Sequence, residues 1–298
     1  VCSSDLIVLQ LMRLAQCFGR GGTWGGGILM AYENVPENKR SFYAAIPQIG
    51  LPIGFGLSSI LIAVPTLLLP EDIFFTWGWR IPFLAAIILT VIVIRQKGEM
   101  METEDYKKAQ AKLEAEEAEG KKHKVGFIPM VKGYWKTLLL GCGTRWVDGT
   151  FYNIFIVWIL SYCINWLGMP LIQTYIITII ACIFKIPFTL FGGWCAQKLG
   201  NTRTFVIGAL ASAVLSIPTL KVIELSKGNL AITIIGIVLG WSIAYNLIWA
   251  VISSLWSSYF ETEVRYSGIS FVYHVPSFLV AGMVPTICTL LINYGKGD

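Results

Sequence analysis

Five ionisable side chains lie inside apolar stretches of this chain: Arg13, Arg20, Arg145, Asp148 and Lys185. Four carry positive charge and one negative, so a cavity shared by them would favour an anionic ligand. Arg20 sits in the middle of the run from Ile7 to Ala31. An arginine at the centre of a bilayer costs about 2.5–3.5 kcal/mol on insertion scales, so it should face water, a ligand or an ion-pair partner elsewhere in the bundle. Arg13 precedes it by two helical turns, on nearly the same face. Arg145 and Asp148 stand three residues apart, where they can pair on one helix, either structurally or as part of a site. Lys185, in "IFKIPF", is deep enough to be costly, although a lysine can extend toward an interface. Tyr152, Asn153, Tyr245, Asn246, Tyr273 and His274 could add hydrogen bonds, and each also reads as an ordinary packing residue.

The stretch around Arg20, "CFGRGGTWGGG", has the glycine density of a phosphate loop but not its pattern. A dinucleotide fingerprint would need a third glycine where Trp24 stands, and a Walker loop would need a lysine. Gly21 with Gly25 and Gly22 with Gly26 instead form small-xxx-small pairs, which let helices approach closely in lipid.

The elements that hold these residues follow from composition. Hydrophobic residues make up 55% of the chain and charged residues 14%, against about 25% charged in a soluble domain. Mean hydropathy is +0.65. A membrane helix needs about 20 mostly apolar residues. Such runs occur at 7–31, 42–69, 79–95, 136–164, 170–194, 205–224, 229–256 and 269–293. The expected fold is all-α and polytopic, and short alternating barrel strands are not present. The cysteines contain no CxxC pair and lie mostly in apolar runs, so they read as small buried hydrophobes. With only two histidines, no metal site and no cofactor is expected.

Two polar segments divide the chain. Val1–Leu6, "VCSSDL", back-translates into the end of a widely used sequencing adapter and is expected to be a non-native tail. Residues 96–135 are rich in Ala, Glu and Lys and read as a charged linker between 7–95 and 136–298. Lysine and arginine set the orientation. One set of alternating loops carries Lys39, Arg40, the lysines of the linker, Lys198, Arg203 and Arg265, and the other only Arg80, Lys221, Lys227 and Lys296. The linker side is therefore cytoplasmic. The loops 33–47 and 261–276, each followed by a proline-broken helix, suggest a weak internal repeat.

The stretches "RLAQ" and "GGTWGGG" (13–27), "ENVPENKRSFYAAIPQIGLPIGF" (33–55), "WGWRIPF" (77–83) and "ETEVRYSGISFVYHVPS" (261–277) together resemble the metabolite:proton symporter group of the major facilitator superfamily, most closely its shikimate-transporter-type members. The resemblance covers essentially all of 7–298. It implies two six-helix bundles, with the runs here as helices 4 to 11 and the linker between the halves. The family's fourth helix typically begins R-x-x-Q-G and continues G-G-E-W. Arg13 and Gln16 match, Cys17 replaces the glycine, and Thr23 replaces the acid. The family's G-x-x-x-D-R-x-G-R-R reads "GWCAQKLGNT" at 193–202, with Gln197 and Asn201 in place of charged residues.

The resemblance implies a secondary transporter, a proton symporter, working by alternating access in the bacterial inner membrane as a multi-pass protein. Its expected partners are a small-molecule metabolite, a carboxylate, together with protons and the lipid bilayer, with no nucleic acid. The expected substrate contacts are Arg20, Thr23, Arg145, Lys185, Tyr152 and Asn246. Arg13 and Asp148 are the expected proton-coupling residues, and Glu33, Arg40, Glu261 and Arg265 the cytoplasmic gate. The alternatives are a betaine or proline type of zwitterion carrier, a facilitator, and a non-transporting sensor. A membrane enzyme would need clustered acid/base groups or metal ligands near a membrane surface, which the sequence lacks.

Overall fold

The computed structural model describes residues 23–97 and 127–295, with residues 7, 8, 11, 12 and 111 in addition. Arg13, Gln16, Cys17 and Arg20, the tail at 1–6 and most of the linker lie outside the described residues. The described chain is helical nearly throughout. In order it runs α1 (Thr23–Glu33), α2 (Arg40–Ala45), α3 (Gly50–Leu68), α4 (Glu71–Thr76), α5 (Ile81–Lys97) and α6 (Phe127–Tyr152). Then come α7 (Ile159–Asn165), α8 (Leu171–Leu199), α9 (Asn201–Leu225), α10 (Leu230–Ile237), α11 (Asn246–Ser257) and α12 (Thr262–Tyr294).

Seven helical stretches are long and apolar enough to cross a membrane: Glu37–Leu68, Gly78–Arg95, Pro129–Asn165, Leu171–Leu199, Asn201–Leu225, Leu230–Ser257 and Thr262–Tyr294. They match the last seven apolar runs. Of the first run, α1 and residues 7, 8, 11 and 12 are described. Most of these helices outlast their apolar runs by several residues, because a helix satisfies its own backbone groups whether its side chains meet lipid or water. The outer faces are apolar: Phe83, Ile87 and Ile88 of α5 and Leu210, Val214 and Ile217 of α9 are exposed, as suits a surface against hydrocarbon.

The interior is built on α8 and α11. Apart from half-buried Leu247, every residue of α11 is buried. The helix α8 packs on α2, α3 and α11, while α12 packs on α6 and α1. Close approach depends on missing side chains. A Cβ on Gly193 of α8 would lie 2.7 Å from Cβ of Ala45 in α2. On α1, a Cβ at Gly25 would come within 3.3 Å of Ser270 Oγ on α12, so one of the four paired glycines has a packing role in the described residues.

Two stretches of π-helix interrupt the spans, Asn153–Trp158 after α6 and Val238–Ala244 before α11. In the second, the Tyr245 amide donates five residues back to Gly240 O at 3.0 Å. In the first, Asn153 Nδ2 donates back to Gly149 O at 2.8 Å. The two meet where the ring of Phe155 lies against Gly240. An extra residue in a turn rotates everything that follows it, and such turns recur at functional sites.

Candidate functional site

The π turns flank the buried charges. Arg145 and Asp148 share one face of α6, and the expected pair forms: Arg145 Nη1 donates to Asp148 Oδ2. Asp148 is fully buried. Its other oxygen, Oδ1, accepts from Tyr245 Oη at 2.7 Å, and Tyr245 sits directly after the second π turn. Both carboxylate oxygens are therefore engaged. The Arg145 guanidinium also donates from Nε to Ser277 Oγ at 2.8 Å and lies 4.2 Å from the ring centroid of Tyr273. Tyr273 in turn stacks on Trp24 of α1, with centroids 4.2 Å apart. The charged pair on α6 is thereby joined to the first half of the chain through two aromatic rings. Trp256 meets both rings edge-on and donates to Thr144 Oγ1 at 2.8 Å.

Lys185 projects from α8 and is fully buried. Its Nζ lies 4.6 Å from the ring centroid of Trp241 and 4.4 Å from that of Tyr245, and 3.4 Å from Trp241 O. Among the described residues no carboxylate pairs with it. Tyr245 thus serves both groups, with its hydroxyl on Asp148 and its ring beside the Lys185 ammonium. The structure brings Arg145, Asp148 and Lys185 into one cluster. Tyr245 and Trp241 organise it. Tyr245 was foreseen only as one hydrogen-bonding residue among several, and Trp241 was not foreseen. The readable signal was the i,i+4 pair Trp241 and Tyr245, which a π turn places beside a lysine 56 residues away in sequence.

The other expected contacts fall in different places. Asn246 Nδ2 donates to Lys185 O at 2.9 Å and to Thr189 Oγ1 at 3.0 Å, so it fastens α11 to α8 and steadies the turn that carries Lys185. Tyr152 meets Phe55 of α3 edge-on at 6.3 Å. Thr23 opens α1. Arg13 and Arg20 lie outside the described residues.

A second polar cluster lies on the side assigned to the cytoplasm. Glu33, at the end of α1, accepts from Arg265 Nη1 of α12 at 2.6 Å, and both side chains are largely buried. Arg265 Nε also donates to Phe260 O at 3.1 Å. Arg40 donates to Val35 O at 3.3 Å and to Glu37 Oε1 at 3.5 Å. The guanidinium groups of Arg40 and Arg265 both lie by the Tyr32 ring, at 5.3 and 5.7 Å. Glu261 is the N-cap residue of α12.

Residues that the sequence did not single out for this role bind the same end. Gln48 Nε2 donates to Trp249 O at 3.2 Å, and Trp249 Nε1 returns a bond to Gln48 O at 3.1 Å. Ser253 Oγ donates to Ala44 O at 2.9 Å. Gln197 donates to Asn38 O and accepts from the Phe42 amide. Asn201 Oδ1 accepts from Ser254 Oγ at 3.0 Å. Gln197 and Asn201, noted for the charges they lack, thus serve as neutral hydrogen-bonding groups here.

Comparison with known proteins agrees with this architecture. The family model described as Major Facilitator Superfamily matches residues 1–285. The chain is 29% identical to an inner membrane metabolite transport protein of Escherichia coli (strain K12), over 98% of this chain and 65% of that protein. It is 27% identical to the shikimate transporter of the same organism, over 98% of this chain and 65% of the relative. A proline/betaine transporter of that organism is 27% identical over 96% of this chain and 57% of its own length. The chain therefore spans 57% to 65% of the length of these relatives. No solved structure matches it.

Proposed function

Because the chain belongs to the major facilitator superfamily, a family of multi-pass membrane transporters and not of enzymes, we propose that it forms part of a secondary transporter for a small organic anion, a carboxylate. Its place would be the inner membrane, as for the metabolite transport relative. The observation that supports this reading best is the charge balance at the centre. Two cations, fully buried Lys185 and largely buried Arg145, face one carboxylate whose oxygens are already engaged by Arg145 and Tyr245. A buried cation without an anion is costly, and a substrate carboxylate would supply the missing charge. Arg20, by its position in the sequence, would be a further contact. Lys185→Gln in the full-length protein is expected to lower carboxylate uptake by about tenfold or more, the scale of one lost charged hydrogen bond. Uptake unchanged in a protein that still inserts would remove Lys185 from the site.

Coupling to protons would run through Asp148. Protonating it removes the negative partner of Arg145 and leaves two cations free to hold an anion. Proton and anion then favour each other's binding, and by linkage the preference is reciprocal. The Glu33–Arg265 pair, with the Gln48–Trp249 and Ser253–Ala44 bonds, would form the cytoplasmic gate. Alternating access would break these contacts and rock the two halves about the central cluster.

One observation favours a second reading, a carrier of zwitterions. Relatives at 26% and 27% identity are named as betaine and proline transporters. Transport blocked by glycine betaine but indifferent to carboxylic acids would select that reading.

A further inference from the structure

The ammonium of Lys185 has aromatic faces on two sides, with the Trp241 carbonyl 3.4 Å away. That is the environment in which a protein binds a ligand cation: ring faces within about 6 Å of the charge and an oxygen acceptor beside it. Here the cation belongs to the protein. Both rings are fully buried, as is the lysine. The backbone at Lys185 is held in place, since Asn246 Nδ2 and Thr189 Oγ1 both donate to its carbonyl oxygen. Trp241 lies in the π turn and Tyr245 directly follows it, so the irregular backbone sets both rings.

We propose that Lys185 is a built-in occupant of an aromatic cation box formed by Trp241 and Tyr245, and that its presence selects a ligand bearing a carboxylate without an ammonium group. This rests on the carboxylate reading above and deepens it. With the box filled, an incoming ammonium meets a charge of its own sign and finds no free ring face. A carboxylate meets an ammonium that the rings hold in place but do not neutralise. Removing the lysine beyond Cβ leaves a space with the shape and charge preference of a small alkylammonium ion, so one substitution would invert the selectivity of the site.

The test uses the purified full-length protein and calorimetric binding of four probe types: propylammonium, which reproduces the deleted side-chain atoms, tetramethylammonium, glycine betaine, and a set of small carboxylates that includes shikimate. The unmodified protein is expected to bind a carboxylate and none of the ammonium probes. Lys185→Ala should lose the carboxylate and gain propylammonium or tetramethylammonium by about 30-fold, the ratio expected for a desolvated cation–aromatic contact. Lys185→Met, which refills the space without charge, should gain neither.

Should Lys185→Ala fail to fold, propylammonium in the growth medium is expected to restore folded protein, and failure to restore it would overturn the proposal. The proposal is also overturned by a folded Lys185→Ala with no ammonium gain, or by an unmodified protein that binds tetramethylammonium as tightly as the variant. An unmodified protein that binds none of the carboxylates would instead sink the carboxylate reading, while the ammonium gain in Lys185→Ala would still report the box.

Discussion

Asp148 is the group on which the central cluster turns, because its two oxygens hold a cation on one side and the hydroxyl of Tyr245 on the other. Replacing it with asparagine keeps the shape and removes the titratable acid. Asp148→Asn is expected to abolish accumulation driven by a proton gradient while leaving substrate exchange across the membrane measurable; proton-driven accumulation at the original rate would remove Asp148 as the carrier. Tyr245→Phe removes only the hydroxyl. It should lower the thermal stability of the purified protein by about 1 kcal/mol, since a hydrogen bond inside a membrane protein contributes about 0.6 to 2 kcal/mol. An unchanged melting curve would mean that Asp148 finds another donor. At this scale much was legible in the sequence. A charge in an apolar run is visible, and so is the i,i+3 spacing of Arg145 and Asp148. The rings around Lys185 were not legible as its surroundings, because Trp241 and Tyr245 stand 56 and 60 residues further along the chain and no local pattern records that proximity.

The helices were legible because apolar runs of membrane length have few other physical outcomes. The π turns were not, since a bond reaching back five residues uses the same residue types as one reaching back four. They matter because they set Tyr245 and Asn246. The contact between the turns is tight: a Cβ on Gly240 would lie 2.4 Å from Phe155 Cε1. Gly240→Ala must therefore displace that ring, and overpacking of this kind costs about 1–3 kcal/mol. The expected result is a lower melting temperature together with weaker carboxylate binding. Full stability and full binding would show that the turns do not position the site. The helix ends were less legible than the helix centres: α12 begins at Thr262, ahead of the apolar run at 269, because a helix continues into polar sequence where its backbone bonds allow.

In the whole molecule, the residues before the linker are joined to those after it by Glu33 with Arg265, Gln48 with Trp249 and Ala44 with Ser253. The sequence pointed to Glu33 and Arg265 through the loops that carry them. It did not point to Gln48 or Trp249, whose reciprocal bonds form only once the halves are packed. Because the ion pair is largely buried, removing one partner leaves the other charge uncompensated, which typically destabilises the paired state by about 3–5 kcal/mol. Glu33→Gln is expected to shift the protein toward the cytoplasm-open state, read as faster labelling of a cysteine introduced at Ala44. Labelling at the original rate would show that the gate is held by the neutral bonds alone. The central claim, a proton-coupled carrier of organic anions, is met most directly by one measurement: uptake of a labelled carboxylate into proteoliposomes of the full-length protein under an imposed proton gradient, in competition with glycine betaine. Accumulation that requires the gradient, is blocked by other carboxylates and is untouched by betaine is the predicted result. Uptake blocked by betaine and indifferent to carboxylates would contradict it.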